Sequence, residues 1–122
     1  MAAAAVFVLE DDDDLRDVLV DLIRRSTGRE CLGLRDLEEL RQKRVGALGC
    51  ALGIVDVNLG SDQPSGLDAF AWLRAERFAG RIVFLTGHAM THPLVERARQ
   101  MGEATVLPKP LDISQLIALL PK

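Results

Sequence analysis

The sequence is poor in aromatic residues, cysteine and histidine. Its 122 residues include four phenylalanines, one tryptophan, no tyrosine, two cysteines and two histidines. With so few rings, the core has to be built from Leu, Val, Ile and Ala. The two cysteines, Cys31 and Cys50, lie far apart in the chain, and no histidine follows them at metal-ligand spacing. We therefore interpret them as small apolar residues in a reducing compartment.

The sequence also has no excess of positive charge and no long apolar run. The net charge is −3, and the lysines and arginines are spread over predicted helix faces rather than gathered in a basic stripe. A surface that binds nucleic acid directly is therefore not expected. No apolar stretch approaches the length of a membrane span, and the short N-terminal alanine run lacks the basic start of a signal peptide. We expect a cytoplasmic protein with neither a membrane nor a nucleic acid as a direct partner.

Hydrophobic residues make up 48% of the chain, which is typical of a globular protein. A chain of 122 residues has the length of one ordinary domain. We predict a single domain over residues 1–122.

Short apolar runs alternate with amphipathic stretches along the chain. The runs predict strands at residues 5–9, 30–34, 51–55, 81–85 and 105–107. The stretches predict helices at residues 14–25, from 37 to about 45, 67–76, 93–101 and 112–120. The predicted buried faces are Leu15, Val18, Leu19, Leu22 and Ile23 on the first helix and Leu67, Phe70, Ala71 and Leu73 on the third. Five strand–helix pairs predict an α/β fold, with a mostly parallel sheet covered on both faces.

Polar residues stand just after four of the predicted strands. They are Glu10 and Asp11 after the first strand, Asp56 after the third, Thr86 after the fourth and Lys109 after the fifth. In an open α/β sheet, sites form outside the carboxyl ends of the strands. If the first and third strands are neighbours, the three carboxylates converge in one pocket.

A pocket with three carboxylates needs a cation. Oxygen ligands favour magnesium or calcium, and a site open to water and phosphate oxygens suits Mg²⁺. A lysine and a threonine beside it can bind the oxygens of a phosphoryl group. An aspartate can also attack phosphorus and carry an aspartyl phosphate, a reaction that depends on positioning and charge neutralisation.

This pattern resembles the receiver domain of bacterial response regulators. The resemblance rests on the Glu10–Asp11 pair, "IVDVN" around Asp56, "FLTGHA" around Thr86 and "PKP" around Lys109. It covers essentially the whole chain and implies a doubly wound (βα)5 fold, flavodoxin-like, with strand order 2-1-3-4-5. It also implies that a sensor histidine kinase or a histidine phosphotransfer protein donates the phosphoryl group, and that an output partner, not identified by the sequence, reads the result.

The resemblance implies a role for each matching residue. Asp56 is the expected phosphoacceptor, Thr86 the hydroxyl that hydrogen-bonds the phosphoryl oxygen, and Lys109 its basic partner. The expected Mg²⁺ ligands are Glu10, Asp11, Asp56 and the backbone carbonyl of Asn58. Such a module phosphorylates and dephosphorylates itself and is not a turnover enzyme.

The sequence departs from the family pattern at several positions. Glu10 replaces the more common aspartate, and Gly60 replaces the usual proline in a loop about two residues longer than expected. Val106 stands where the family usually has tyrosine or phenylalanine. A valine cannot swing inward as a ring does, so we expect any output signal to run through shifts of residues 86–101.

The run from Glu10 to Asp14 divides into two functions. Glu10 and Asp11 are candidate metal ligands, whereas Asp12, Asp13 and Asp14 are expected to cap the first helix. Two alternatives stay open at this point: a pseudo-receiver that binds partners without phosphorylation, and a small phosphatase with an aspartate nucleophile. A monomer or weak dimer is expected.

Overall fold

The computed structural model of the chain describes residues 5–57, 66–87, 96, 97, 100, 104–109 and 112–120. Five parallel strands form one sheet in the order β2-β1-β3-β4-β5. Their bounds are β1 Val6–Leu9, β2 Cys31–Leu34, β3 Leu52–Asp56, β4 Arg81–Thr86 and β5 Ala104–Pro108. The predicted fold and strand order are confirmed.

The described residues include five helices with defined bounds, which connect or follow the strands. Their bounds are α1 Asp13–Thr27, α2 Leu37–Gln42, α3 Arg44–Leu48, α4 Gly66–Ala75 and α5 Ile113–Leu119. Glu96, Arg97 and Gln100 are also helical, within the helix predicted at 93–101, the rest of which lies outside the described residues. None of the described helices is both long enough and apolar enough to cross a membrane.

The acidic residues at the start of α1 act as predicted. Asp12 is the N-cap, and its side chain accepts a hydrogen bond from the Leu15 amide at 3.0 Å. Asp13 and Asp14 lie in the first turn, where the positive end of the helix dipole favours negative charge. Gly28 ends the helix at φ 70°, in the left-handed conformation that glycine adopts without a steric penalty.

Three sequence predictions about helix packing are wrong. Val18 is 60% exposed rather than buried, because α1 rests on the sheet through Leu19 and Ile23. On α4 the buried alanine is Ala69, and Ala71 is exposed. The predicted second helix is two short helices that meet at Lys43, and Val45 on the second of them is 83% exposed.

The core lies on both faces of the sheet, because side chains alternate along each strand. Phe7 and Phe84 point to the face that α2, α3 and α4 cover. Val8 and Val83 point to the opposite face, which α1 and α5 cover. The two cysteines are free and buried, and burial raises the pKa of the Cys31 thiol to about 12.

Strand register places the candidate residues at one edge of the sheet, the edge formed by the carboxyl ends of the strands. Asp56 on β3 pairs with Leu85 on β4, and Thr86 pairs with Pro108 on β5. Glu10 directly follows β1, whose last residue pairs with Val55, next to Asp56. The carboxyl ends of β1, β3, β4 and β5 therefore converge.

Candidate functional site

Backbone hydrogen bonds continue the sheet beyond the strand ends and hold the acidic residues in place. The Glu10 amide donates to the Leu34 carbonyl oxygen at 2.9 Å, and the Val57 amide donates to the Leu85 carbonyl oxygen at 2.9 Å. The sheet itself thus anchors the backbone at Glu10 and at Asp56.

Three carboxylates meet at this edge, as the sequence predicted. Glu10, Asp11 and Asp56 each offer an oxygen, and these oxygens all lie within 4.8 Å of one another. Glu10 and Asp56 are buried, whereas Asp11 is exposed. The cluster is therefore open to solvent on the side of Asp11.

Lys109 brings a positive charge into contact with two of these carboxylates. Its Nζ lies 2.9 Å from Glu10 Oε1 and 3.2 Å from Asp56 Oδ2. The Lys109 amide donates to the Thr86 carbonyl oxygen at 2.8 Å, which extends the pairing of β4 with β5. One ammonium group thus bridges the ends of β1 and β3 from the end of β5.

The electrostatics of the site follow from burial and crowding. Burial raises the pKa of Glu10, and the neighbouring Asp56 carboxylate raises it further, while Lys109 opposes both effects. Burial and Glu10 raise the pKa of Asp11. Burial lowers the pKa of Lys109, but the carboxylates of Glu10 and Asp56 outweigh it, so that the pKa is raised overall. One ammonium does not balance three carboxylates.

These residues fit a divalent cation. All the candidate ligand atoms are carboxylate oxygens, the donors that Mg²⁺ and Ca²⁺ prefer. Their crowding disfavours the fully ionised cluster, and a cation would relieve that repulsion. Asn58, predicted to contribute a backbone carbonyl, lies outside the described residues.

Thr86 is also brought to this edge. It is buried at the end of β4, one residue beyond the partner of Asp56. A Cβ added at the next residue, Gly87, would lie 3.8 Å from Lys109 Cδ, an ordinary contact. Val106 is half-buried on β5 beside Phe84 and packs against the core.

Sequence reasoning missed two residues that shape the site. The Gly66 amide donates to the Val57 carbonyl oxygen at 2.9 Å, and a Cβ on Gly66 would lie 2.1 Å from the Asp56 carbonyl oxygen. The sequence feature that could have indicated Gly66 is its place directly before a predicted helix. Arg16 donates from Nη1 to the Glu10 carbonyl oxygen at 3.0 Å. The sequence feature that could have indicated Arg16 is its spacing of three residues from Asp13, with which it forms an ion pair.

The chain is similar to known signalling proteins over almost its full length. The family model described as "Response regulator receiver domain" matches residues 6–121. Nodulation protein W of Bradyrhizobium diazoefficiens is 33% identical over 114 residues, which are 93% of this chain and 48% of that protein. The chain therefore spans about half the length of this curated relative.

Solved structures agree with this match. The response regulator receiver protein of Pseudomonas putida is 30% identical, with a TM-score of 0.77, over 98% of this chain and 96% of the other. NtrX of Brucella abortus is 25% identical, with a TM-score of 0.77, over 97% of this chain and 25% of the other. Together with the strand order and the acidic cluster beside a lysine, these matches identify the chain as a member of the response regulator receiver domain family.

Proposed function

We propose that this receiver domain accepts a phosphoryl group on Asp56 and thereby switches a surface that a partner reads. The donor is the phosphohistidine of a sensor histidine kinase or of a histidine phosphotransfer protein, and the reaction depends on Mg²⁺. The domain turns over no free substrate, so it acts as a signalling module and not as a conventional enzyme. A cytoplasmic location belongs to the proposal, and the two free cysteines support it.

The observation that carries the proposal is the contact of Lys109 with two carboxylates. Its ammonium lies 3.2 Å from Asp56 Oδ2 and 2.9 Å from Glu10 Oε1. A nucleophilic aspartate beside a fixed cation and two further acids is the arrangement that phosphoryl transfer requires, because the transferred group is itself anionic.

The proposed step forms one bond and breaks one. An oxygen of the Asp56 carboxylate attacks the phosphorus of the phosphohistidine, and the P–N bond breaks. The imidazole nitrogen leaves with the electron pair and takes up a proton. In deactivation, water attacks the phosphorus and gives up a proton, the P–O bond to Asp56 breaks with its electron pair kept by the carboxylate, and inorganic phosphate leaves.

The residues around Asp56 have separate tasks in this proposal. Glu10, Asp11 and Asp56 would hold Mg²⁺, together with the backbone carbonyl of Asn58. Bound Mg²⁺ would neutralise part of the negative charge on the phosphoryl oxygens. Lys109 donates to a phosphoryl oxygen from its place beside Asp56, and the buried Thr86 hydroxyl donates to another.

Val106 bears on how the signal leaves the site. It packs against the core from β5 and has no ring to rotate. We therefore propose that the state of Asp56 is transmitted through residues 86–101, of which 88–95, 98, 99 and 101 lie outside the described residues.

Intact mass after incubation with acetyl phosphate and Mg²⁺ tests the proposal. The expected result is one added phosphoryl group on the wild type and none on Asp56→Asn or in the presence of EDTA. Asp21→Asn is the matched control, because Asp21 is an exposed aspartate that pairs with Arg25 on α1. This variant should be phosphorylated like the wild type.

Two results would contradict the proposal. The wild type could stay unmodified with acetyl phosphate and with phosphoramidate, in which case the pseudo-receiver alternative would replace it. Steady turnover of a phosphomonoester that depends on Asp56 would instead favour the phosphatase alternative.

A further inference from the structure

Arg16 connects the two ends of a short acidic segment. Its Nη1 donates to the Glu10 carbonyl oxygen at 3.0 Å, and its Nη2 lies 2.6 Å from Asp13 Oδ1. Asp11 and Asp12 lie between these two acceptors in the chain. One planar guanidinium therefore holds both ends of the segment that carries the exposed candidate ligand, Asp11. We call this pair of contacts, from Arg16 to Glu10 and to Asp13, the bracket.

The bracket is held by packing as well as by hydrogen bonds. The Arg16 side chain is only 16% exposed. A Cβ added at Gly33 on β2 would lie 3.4 Å from Arg16 Cγ and Cδ, so the aliphatic part of the arginine runs close over this glycine. A side chain confined in this way has few alternative rotamers and fixes its partners in turn.

Two further hydrogen bonds define the same segment. The Asp12 amide donates to Glu10 Oε2 at 3.4 Å, and the Asp12 side chain accepts from the Leu15 amide at 3.0 Å. Asp12 is thus bound on both sides, whereas Arg16 connects the peptide before Asp11 to the first turn of α1. These contacts fix the backbone on both sides of Asp11.

We propose that Arg16 is a positioning residue that preorganises the Glu10–Asp11 pair for Mg²⁺. The inference rests on the proposed function, since it assigns a determinant of metal affinity at the same site. Groups that orient metal ligands without touching the metal affect affinity about 10- to 100-fold when they are removed.

The sign of the effect separates positioning from charge. Arg16 carries a positive charge near the site, so loss of that charge alone would strengthen the binding of a cation. Loss of the bracket would weaken binding. The two explanations therefore predict opposite changes in the Kd for Mg²⁺.

The test is a titration with Mg²⁺ alone, followed by two-dimensional amide NMR, on the wild type and three variants. Arg16→Met removes the bracket and the charge. Arg16→Lys keeps the charge but cannot form the fixed planar fork. Arg24→Met is the matched control. Arg24 lies on the same helix but donates to the Cys31 carbonyl oxygen at 2.9 Å, at the amino end of β2 and so away from the site.

The expected result is a Kd for Mg²⁺ about tenfold higher in both Arg16 variants. The Kd of Arg24→Met should stay within about twofold of the wild type, even if its melting temperature falls. If Arg16→Met does not fold, Arg16→Lys decides the question.

Other outcomes would overturn the inference in distinguishable ways. Folded Arg16 variants that bind Mg²⁺ as tightly as the wild type, or more tightly, would refute positioning and leave the proposed function intact. A wild type whose resonances do not move with Mg²⁺ would refute the metal part of the proposed function, and the inference with it.

Discussion

Lys109 is the residue on which the charge balance of the site depends. Its ammonium contacts Glu10 and Asp56, both of which are buried. Two buried carboxylates in contact are unfavourable unless a cation compensates them or one of them takes up a proton. The conformation of the site without metal therefore relies on a residue that lies 99 positions from Glu10 in the chain.

We expect Lys109→Met to destabilise the protein by about 2 kcal/mol in EDTA, because charged hydrogen bonds are lost from buried acceptors. Methionine keeps an unbranched side chain of similar length, so that the loss reflects charge more than packing. Urea unfolding measures the effect. Added Mg²⁺ should restore part of the loss, and an equal loss with and without Mg²⁺ would contradict the explanation.

At the scale of elements, the start of α4 can lie close to β3 because Gly66 has no side chain. A Cβ on Gly66 would approach the Asp56 carbonyl oxygen to 2.1 Å, well inside any normal contact. The neighbour is backbone of a buried strand and cannot move aside as the end of a side chain could. Close packing of α4 on β3 therefore requires glycine at this position.

Gly66→Ala should destabilise the fold by about 1–3 kcal/mol, the usual cost of forcing extra volume into a packed site. Gly46→Ala is the matched control, because a Cβ there would lie 3.7 Å from Leu32 Cδ2, an ordinary contact. Alanine within a helix is favoured over glycine by up to about 1 kcal/mol, so this control should be neutral or stabilising.

Chemical unfolding of both glycine variants gives the comparison, with Trp72 on α4 as the fluorescent probe. Equal stability of the two variants would show that α4 can shift away from β3 at little cost. A large loss confined to Gly66→Ala would support the close approach.

At the scale of the whole molecule, the site joins segments from both ends of the chain. Glu10 and Asp11 follow β1, Asp56 ends β3, and Lys109 follows β5. The unfolded chain does not hold these groups together, so a cation that binds them stabilises the folded state by linkage.

We expect Mg²⁺ to raise the melting temperature of the wild type. Asp56→Asn removes one of the three carboxylates, so it should melt at a higher temperature than the wild type in EDTA and gain less from Mg²⁺. Asp21→Asn should respond to Mg²⁺ as the wild type does. An equal gain in all three proteins would indicate binding elsewhere.

Much of the architecture could be predicted from the sequence, because it depends on local patterns. Short apolar runs between amphipathic stretches indicated the five strands, and polar residues after the strands indicated one edge of the sheet. Asp12, Gly28 and Asp112 cap their helices through contacts within a few residues, which sequence spacing can specify. The placement of Asp56 and Lys109 at one edge follows from the topology of a parallel sheet.

Other features depended on packing between distant segments. The exposure of Val18 and Val45 and the choice of Ala69 over Ala71 follow from the angle at which each helix meets the sheet, which periodicity does not specify. The sharing of Lys109 between two carboxylates depends on side-chain reach across three strand ends. Arg16 and Gly66 matter through single close contacts, and a contact of that kind exists only once the chain has folded.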